Sequence, residues 1–507
     1  MASSPARAAE RPSPAYAWYA LGLLAAINLL NYLDRNVIFA LFEPIKRDLG
    51  LTDTQLGWLG SAYILVFSVA ALSFGVISDL RSRRAVIAGG VAVWSAFTSL
   101  AGLVTGFWQL FTCRAAVGIG EAAYGPAASS LVADYYPGQS RALAMGVLGS
   151  GVALGGVLGI LLGGFLEGHY GWRVAFMAVG LPGFACAVLV SRLKDPSRTP
   201  SAMTMRSFLR DLEVSLTSLH RQFYPLLLGV AVGAITAWEL DRSYGADSKL
   251  DAAALAACVG LGLAFNIRRW VQQIRANRID DTPFGGRVSS AVDDILHALR
   301  TVLQTPTLVY VFLAGALISF GMNGIVGWGP TFVSRELGLT AGQSAALLGK
   351  WGLLAGTAGT LFGGFLADFL RRRYRTGRVL TVALGLLLGG PLAIWLLTLR
   401  DLETFQAVFV AAFFCLSWYN GPISAVIFDV VPARISATVA GAYLLFIHLA
   451  GDAISFPLVG MLSDRFGLAN AVLVLPSVAI AGGLVILGAV RTVVRDMARI
   501  AAPAADA

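Results

Sequence analysis

Four ionisable residues stand inside long apolar runs, Asp34 and Arg35 in one, Arg114 and Glu121 in another. An ionised side chain at mid-membrane depth costs about 2.5 to 3.5 kcal/mol on the mildest insertion scales, so such groups persist only where they are paired, solvated or used. Asn28, Asn31 and Arg35 recur at three- to four-residue spacing, with Tyr32 and Asp34 beside them. They form a polar stripe that must face other helices or a water-filled cavity. Arg114 and Glu121 are two helical turns apart and share one face, separated by about 10 Å along the axis. A third group could bridge them, and Asp34 is a candidate. Dryness favours the neutral form of a carboxyl and a nearby guanidinium favours the charged form. Asp34 or Glu121 could therefore bind a proton in one state and release it in another. A purely structural network, in which Arg35 and Arg114 neutralise both carboxylates, is the alternative.

Weaker signals lie further along. Lys350 could meet an anionic head group or snorkel to an interface. His448 and Asp452 stand four residues apart on one helix and can pair. Tyr124, Trp418 and Tyr419 could wall a pocket or serve packing alone.

The elements that must carry these groups are transmembrane helices. Mean hydropathy is +0.71, and only 13% of the 507 residues are charged, against roughly 25% in a soluble domain. Apolar stretches of about 20 residues, each able to cross roughly 30 Å of hydrocarbon, recur along the chain. An all-α polytopic membrane protein follows. Helices are expected at about 16–43, 55–78, 85–105, 107–136, 141–166 and 172–192, and again at about 307–333, 343–366, 378–399, 404–431, 436–460 and 468–490. Residues 1–15 and 491–507 are expected as tails. Arginine clusters at 81–84, 371–378 and 491–499 place both termini in the cytoplasm by the positive-inside rule. Arginine outnumbers lysine 34 to 4, which points to a GC-rich bacterial genome and an inner (plasma) membrane. The net charge of +9 sits in short loops rather than on one patch, so nucleic acid is not an expected partner.

The two six-helix sets repeat each other. Arg47-Asp48-Leu49-Gly50-Leu51-Thr52 with Gln55 returns 288 residues later as Arg335-Glu336-Leu337-Gly338-Leu339-Thr340 with Gln343. Gly75 and Asp79 return as Gly364 and Asp368, and Gly125-Pro126 returns as Gly421-Pro422. Asn323 falls within one residue of the repeat position of Asp34 or Arg35, which suggests a cavity-facing role. Parallel repeats of this kind place a substrate site at their interface near mid-membrane. Between the halves, 193–306 is an insertion. Its flanking charge favours a membrane hairpin at about 223–267, with a small cytoplasmic domain as the alternative. An amphipathic helix at about 286–303 follows.

Enzymatic motifs are poor. Gly349-Lys350 is followed by Trp351 and fails as a phosphate-binding loop, and Gly149-Ser150-Gly151 lies inside an apolar helix. Cys113, Cys186, Cys258 and Cys415 are isolated, so no metal, cofactor or disulfide is expected. Glycines at 155, 156, 159, 163 and 164 mark close helix packing.

Gly75-x-x-x-Asp79 before an arginine cluster, within two six-helix halves, resembles the major facilitator superfamily. Asn31-Tyr32-x-Asp34-Arg35, Arg114-x-x-x-Gly118-x-Gly120-Glu121-Ala122-x-Tyr124 and His448-Leu449-x-Gly451-Asp452 are similar to its Spinster branch. The resemblance covers about 25–192 and 307–490 and omits the insertion. It implies a monomeric rocker-switch carrier of lysophospholipids or sphingoid phosphates. Asp34, Arg35, Arg114 and Glu121 would couple protons. Asn31, Tyr124, Asn323, Lys350, Trp418, Tyr419 and His448 are the substrate-binding candidates, and Asp79, Arg83, Arg84, Asp368, Arg371 and Asp452 the gating candidates. Two other readings stay open: a proton-coupled symporter of small organic anions such as sugar acids, and a ligand-sensing scaffold that recruits a partner through the insertion.

Overall fold

The computed structural model describes residues 13–80, 82–136, 140–195, 298–432 and 435–501, with scattered positions between 224 and 272. Contacts divide the chain into two compact units, 1–202 together with 305–507, and 203–304.

The larger unit holds both halves. The first comprises α1 (Pro14–Leu49), α2 (Asp53–Leu80), α3 (Arg83–Ala101), α4 (Phe107–Ala122), α5 (Tyr124–Tyr135), α6 (Ser140–Tyr170) and α7 (Trp172–Ser191). The second comprises α8 (Pro306–Glu336), α9 (Ala341–Arg373), α10 (Gly377–Thr398), α11 (Leu402–Leu416), α12 (Asn420–Asp429), α13 (Ser436–Ile447), α14 (Ala453–Phe466), α15 (Leu468–Ala471), α16 (Val474–Leu487) and α17 (Val493–Ala501). Among the described residues, eleven helical runs are long and apolar enough to cross a membrane.

The span expected unbroken at 107–136 divides into α4 and α5 at Ala123, whose φ of −72° and ψ of −23° keep it helical. Pro126 cannot donate to the Ala122 carbonyl, which removes one rung of the ladder there. Its repeat partner Pro422 follows a 3₁₀ turn at Ser417–Tyr419 between α11 and α12. The Gly-Pro repeat thus encodes a break in both halves.

The other repeat encodes a helix reversal. Gly50 and Gly338 end α1 and α8 with φ of 64° and 67°, a left-handed stop that favours glycine. Thr52 with Gln55, and Thr340 with Gln343, then exchange reciprocal backbone hydrogen bonds that start α2 and α9.

The halves meet along two seams, α2 against α14 and α6 against α9. A methyl group at Gly57 would collide with the Phe456 carbonyl oxygen, and one at Gly164 would stand 2.9 Å from the Ala341 oxygen. Phe39 stacks on Phe456 with centroids 5.1 Å apart, and Phe42 meets Trp328 at 5.4 Å. These rings fill the interface toward the end where α1 turns into α2, hereafter the clamp end. Within the first half, Gly155, Gly159 and Gly163 bring α6 onto the backbone of α1. Gly156 does not join them, because its nearest neighbour is the Asn36 side chain at 3.7 Å.

The stretch 491–507, expected as a tail, instead contains α17. Its Asp496 is buried and accepts hydrogen bonds from the Thr307 amide (3.0 Å) and hydroxyl (2.7 Å), so it caps the start of α8. In the smaller unit, described positions at 224–236 and 257–272 are helical, and Gly229 lies against Cys258 and Gly262. Most of the hairpin expected at 223–267 and positions 286–297 of the amphipathic helix lie outside the described residues.

The glycine contacts predict a graded outcome. A Cβ on Gly155 would sit 2.5 Å from the Leu29 oxygen, whereas one on exposed Gly22 meets nothing within 4 Å. Gly155→Leu is expected to lose at least about 1–3 kcal/mol through overpacking. Thermal unfolding in detergent should show a lowered midpoint for it and an unchanged one for Gly22→Leu.

Candidate functional site

Asp34 and Arg35 are consecutive on α1 and point about 100° apart around its axis. Each meets a partner on α4. Arg114 Nη1 donates to Asp34 Oδ1 at 3.2 Å, and the Thr98 hydroxyl on α3 donates to Asp34 Oδ2. Arg35 Nε donates to Glu121 Oε2 at 2.7 Å. The expected bridge, with Asp34 between Arg114 and Glu121, is therefore replaced by two crossed ion pairs. Asp34 and Glu121 are each 1% exposed, and neither lines either of the cavities described below. A single solvated vestibule holding both carboxylates is not what the chain forms.

Arg35 stands between Glu121 and open space. Its guanidinium carbon lies 4.5, 5.0 and 4.6 Å from the ring centroids of Tyr32, Tyr63 and Phe67. Such contacts favour a desolvated cation by about 0.5–2 kcal/mol. Glu121 Oε1 and Arg114 Nε make no hydrogen bond among the described residues, so the network has unused capacity.

The second half builds a different cluster. Between α13 and α14 the chain widens into a π turn, His448–Asp452, an arrangement often found at functional positions. His448 Nδ1 pairs with Asp452 Oδ2 at 2.6 Å, while Asn323 Nδ2 (2.8 Å) and the Ser319 hydroxyl on α8 donate to Oδ1.

The two clusters face each other across a cavity of about 140 Å³ lined by Tyr32, Arg35, Tyr63, Asn323, His448 and Asp452 among others. It shares Tyr32, Asn36 and Asn323 with a larger cavity of about 360 Å³. That one runs into the second half between apolar side chains, including Val326, Phe332, Leu348, Phe405 and Phe409. The two cavities adjoin at those three side chains, the smaller bearing the charged groups and the larger lined mostly by apolar ones.

Toward the clamp end, Asp53 on α2 receives Lys46 (2.6 Å), Arg335 from α8 (2.7 Å) and the Ser463 hydroxyl from α14 (2.5 Å). Arg335 also pairs with Glu43 at 2.7 Å. Asp464 of the second half accepts the Asp53 and Thr54 amides, both at 2.9 Å, and so caps α2 of the first. The halves are tied there by charge. At the opposite end the described pairs stay within a half. Arg83 reaches Asp195 (2.5 Å) and Asp134 (2.7 Å), Arg84 reaches the Leu193 oxygen, and Arg371 and Arg378 share Asp429, with Asp368 3.4 Å from Arg378.

Several sequence-selected residues therefore stand elsewhere than expected. Asn323 and His448 line the polar cavity, whereas Asn31, Tyr124, Lys350, Trp418 and Tyr419 line neither. The Tyr124 hydroxyl donates to the Leu24 oxygen at 2.6 Å and ties α5 to α1. Trp418 packs on Phe362 and Phe414, with Gly363 and Gly385 against it. Lys350 is exposed, its ammonium 4.8 Å from the Trp351 ring centroid. Asp452, selected for gating, belongs to the polar cavity, and the Asp79 side chain lies outside the described residues. The cross-half clamp was missed, although Arg335 sits in the repeated segment that returns Arg47. Thr98, Tyr63 and Ser319 gave no signal, being ordinary residues whose role depends on a partner from another helix.

Residues 24–453 match the family model of the Major Facilitator Superfamily. The chain is 37% identical over 183 residues, 36% of its length, to an MFS-type efflux pump of Mycolicibacterium smegmatis. It is 28% identical over 242 residues, 45% of its length, to the sphingosine-1-phosphate transporter SPNS2 of Xenopus tropicalis. These matches span 43% and 47% of the relatives' own lengths, less than half in each case. The fold is similar to that of a bacterial homologue of the human lysosomal transporter Spinster, with a TM-score of 0.71 at 22% identity, covering 96% of this chain and 99% of that one.

The clamp generates a conformational prediction. Spin labels at exposed Thr105 and Leu402, in different halves toward the clamp end, should report one short distance in the wild type. Asp53→Asn strips Arg335 and Lys46 of their shared anion at a cost of about 3 kcal/mol, a roughly hundredfold change in the closed-to-open ratio. A second, longer distance should appear in that variant.

Proposed function

Because the chain belongs to the Major Facilitator Superfamily, we propose that it is a proton-coupled carrier of single-chain, phosphate-bearing amphiphiles of the lysophospholipid or sphingoid-phosphate type. Alternating access of the two halves would move them across a bacterial inner membrane. With both termini cytoplasmic, the clamp end faces outward. The observation that carries this reading is the pair of adjoining cavities, one bearing Arg35, His448 and Asp452 and the other apolar beyond Asn323. A head group and a tail need those two environments side by side. A small organic anion would use only the polar part and leave the larger apolar space empty. The likeness to a relative named as a sphingosine-1-phosphate transporter agrees with the amphiphile.

Coupling follows from Arg35. A phosphate entering the polar cavity competes with Glu121 for the guanidinium, which binds oxyanions through charge-assisted hydrogen bonds. Once Arg35 turns to the phosphate, Glu121 is a buried carboxylate without its cation, and a proton neutralises it more cheaply than the dry interior tolerates the charge. Substrate and proton are thus taken up together. When the cavity opens to the other side and the phosphate leaves, Arg35 returns and expels the proton. Asp34, held by Arg114 and Thr98, is a second protonatable group one layer deeper. His448 and Asp452 form the facing wall and can meet an amine on the head group.

Proteoliposome uptake of a labelled lysophospholipid, with and without a pH gradient, checks this. The gradient should stimulate wild-type flux several-fold. Glu121→Gln should abolish the stimulation while keeping substrate exchange within a few-fold of wild type, and Arg35→Ala should lose at least about tenfold in both, equivalent to 1.4 kcal/mol. Equal flux into empty liposomes, or uptake of a sugar acid in place of the lysolipid, would overturn the assignment.

A further inference from the structure

At the clamp end the larger cavity is lined by buried side chains. Val152, at the end near Tyr32, is 42% exposed, whereas Leu396, Phe405 and Val472, at the clamp end, are 7%, 2% and 3% exposed. Along α8 the lining runs from Asn323 to Val333, about 15 Å at 1.5 Å per residue. One wall is a ladder of rings on α11. Phe405 stacks on Phe409 with centroids 6.4 Å apart and an interplanar angle of 3°, and Phe409 stacks on Phe413 at 5.4 Å. Beside them on α9, Gly352 also lines the cavity, and a Cβ there would touch the Phe409 ring at 3.6 Å, so a larger side chain at that position would press on the ladder.

We propose that this apolar slot is a ruler for tail length, with Phe405 as its floor and Gly352 as a lining position where any larger side chain would narrow it. The inference rests on the amphiphile reading and adds a limit to it. A slot about 15 Å long takes a single extended saturated tail of about a dozen carbons. Each further carbon must lift the head group away from Arg35 and His448. Because the slot leads toward the clamp end, the tail lies toward that end and the head group toward the middle of the bundle, so both ends of the substrate are held at once.

Binding of a homologous series of saturated lysophosphatidylcholines to the purified full chain in detergent tests this, with competition by a sugar acid as a second arm. Wild-type affinity should rise with length to an optimum near a dozen carbons and then fall by about threefold or more for the longest tails. Phe405→Ala should move the optimum roughly three carbons longer, and Gly352→Val should move it shorter. These shifts of opposite sign separate a ruler from general damage, and Gly352→Val carries the test alone if Phe405→Ala does not fold. Binding that is independent of length, or an optimum that neither variant moves, would end the ruler and leave the carrier reading intact. No binding at any length, with the sugar acid bound, would end the amphiphile reading itself.

Discussion

A carboxylate sealed behind one guanidinium is the constraint on which the rest depends. Glu121 lines no described cavity and is held by Arg35, which does, and Arg35 has three aromatic faces on which to rest while it holds that carboxylate. Neither charge is stable alone at that depth. A group that removes Arg35 must therefore bring its own negative charge, and Glu121 must then acquire a proton. The coupling needs no long relay. It needs only that one cation be shared between an internal anion and a visiting one.

The scaffold serves that exchange by being rigid within each half and adjustable between halves. Within a half, glycine contacts bring α6 onto α1, and Asn28 donates to the Leu148 oxygen at 2.7 Å. Between halves, the α2–α14 seam is held by the Asp53 cluster and by Asp464 capping α2, whereas the related α6–α9 seam is closed by small residues such as Gly164 and Ala345. The pseudo-repeat places Ala341 where the first half has Asp53, so one seam is ionic and the other is not. Charge-assisted bonds of that kind can be exchanged for water when the end opens.

Much of the architecture was legible in the sequence because its causes are local. Hydropathy over twenty residues sets a span, a glycine at positive φ ends a helix, and a threonine three residues before a glutamine starts the next. The ionisable residues were legible for the same reason, since four charges in apolar runs require partners. Which partner each one takes was not, because it depends on how α1 and α4 rotate against each other. Asp34 seemed able to bridge Arg114 and Glu121, and the chain instead crosses the pairs. Trp418 and Tyr124 looked like pocket walls and are packing residues, because an aromatic side chain carries no mark of the neighbour it will meet. The breaks ahead of Pro126 and Pro422 were written in the repeat and could have been read from the missing amide alone.

Proton uptake on substrate binding tests the central claim most directly. Lysophospholipid added to the purified protein in weakly buffered solution should draw about one proton from the medium per bound substrate, as the visiting phosphate takes Arg35 and leaves Glu121 to be neutralised. Glu121→Gln should bind the same ligand and draw none. Equal uptake by the wild type and that variant, or binding without any uptake in the wild type, would contradict the account.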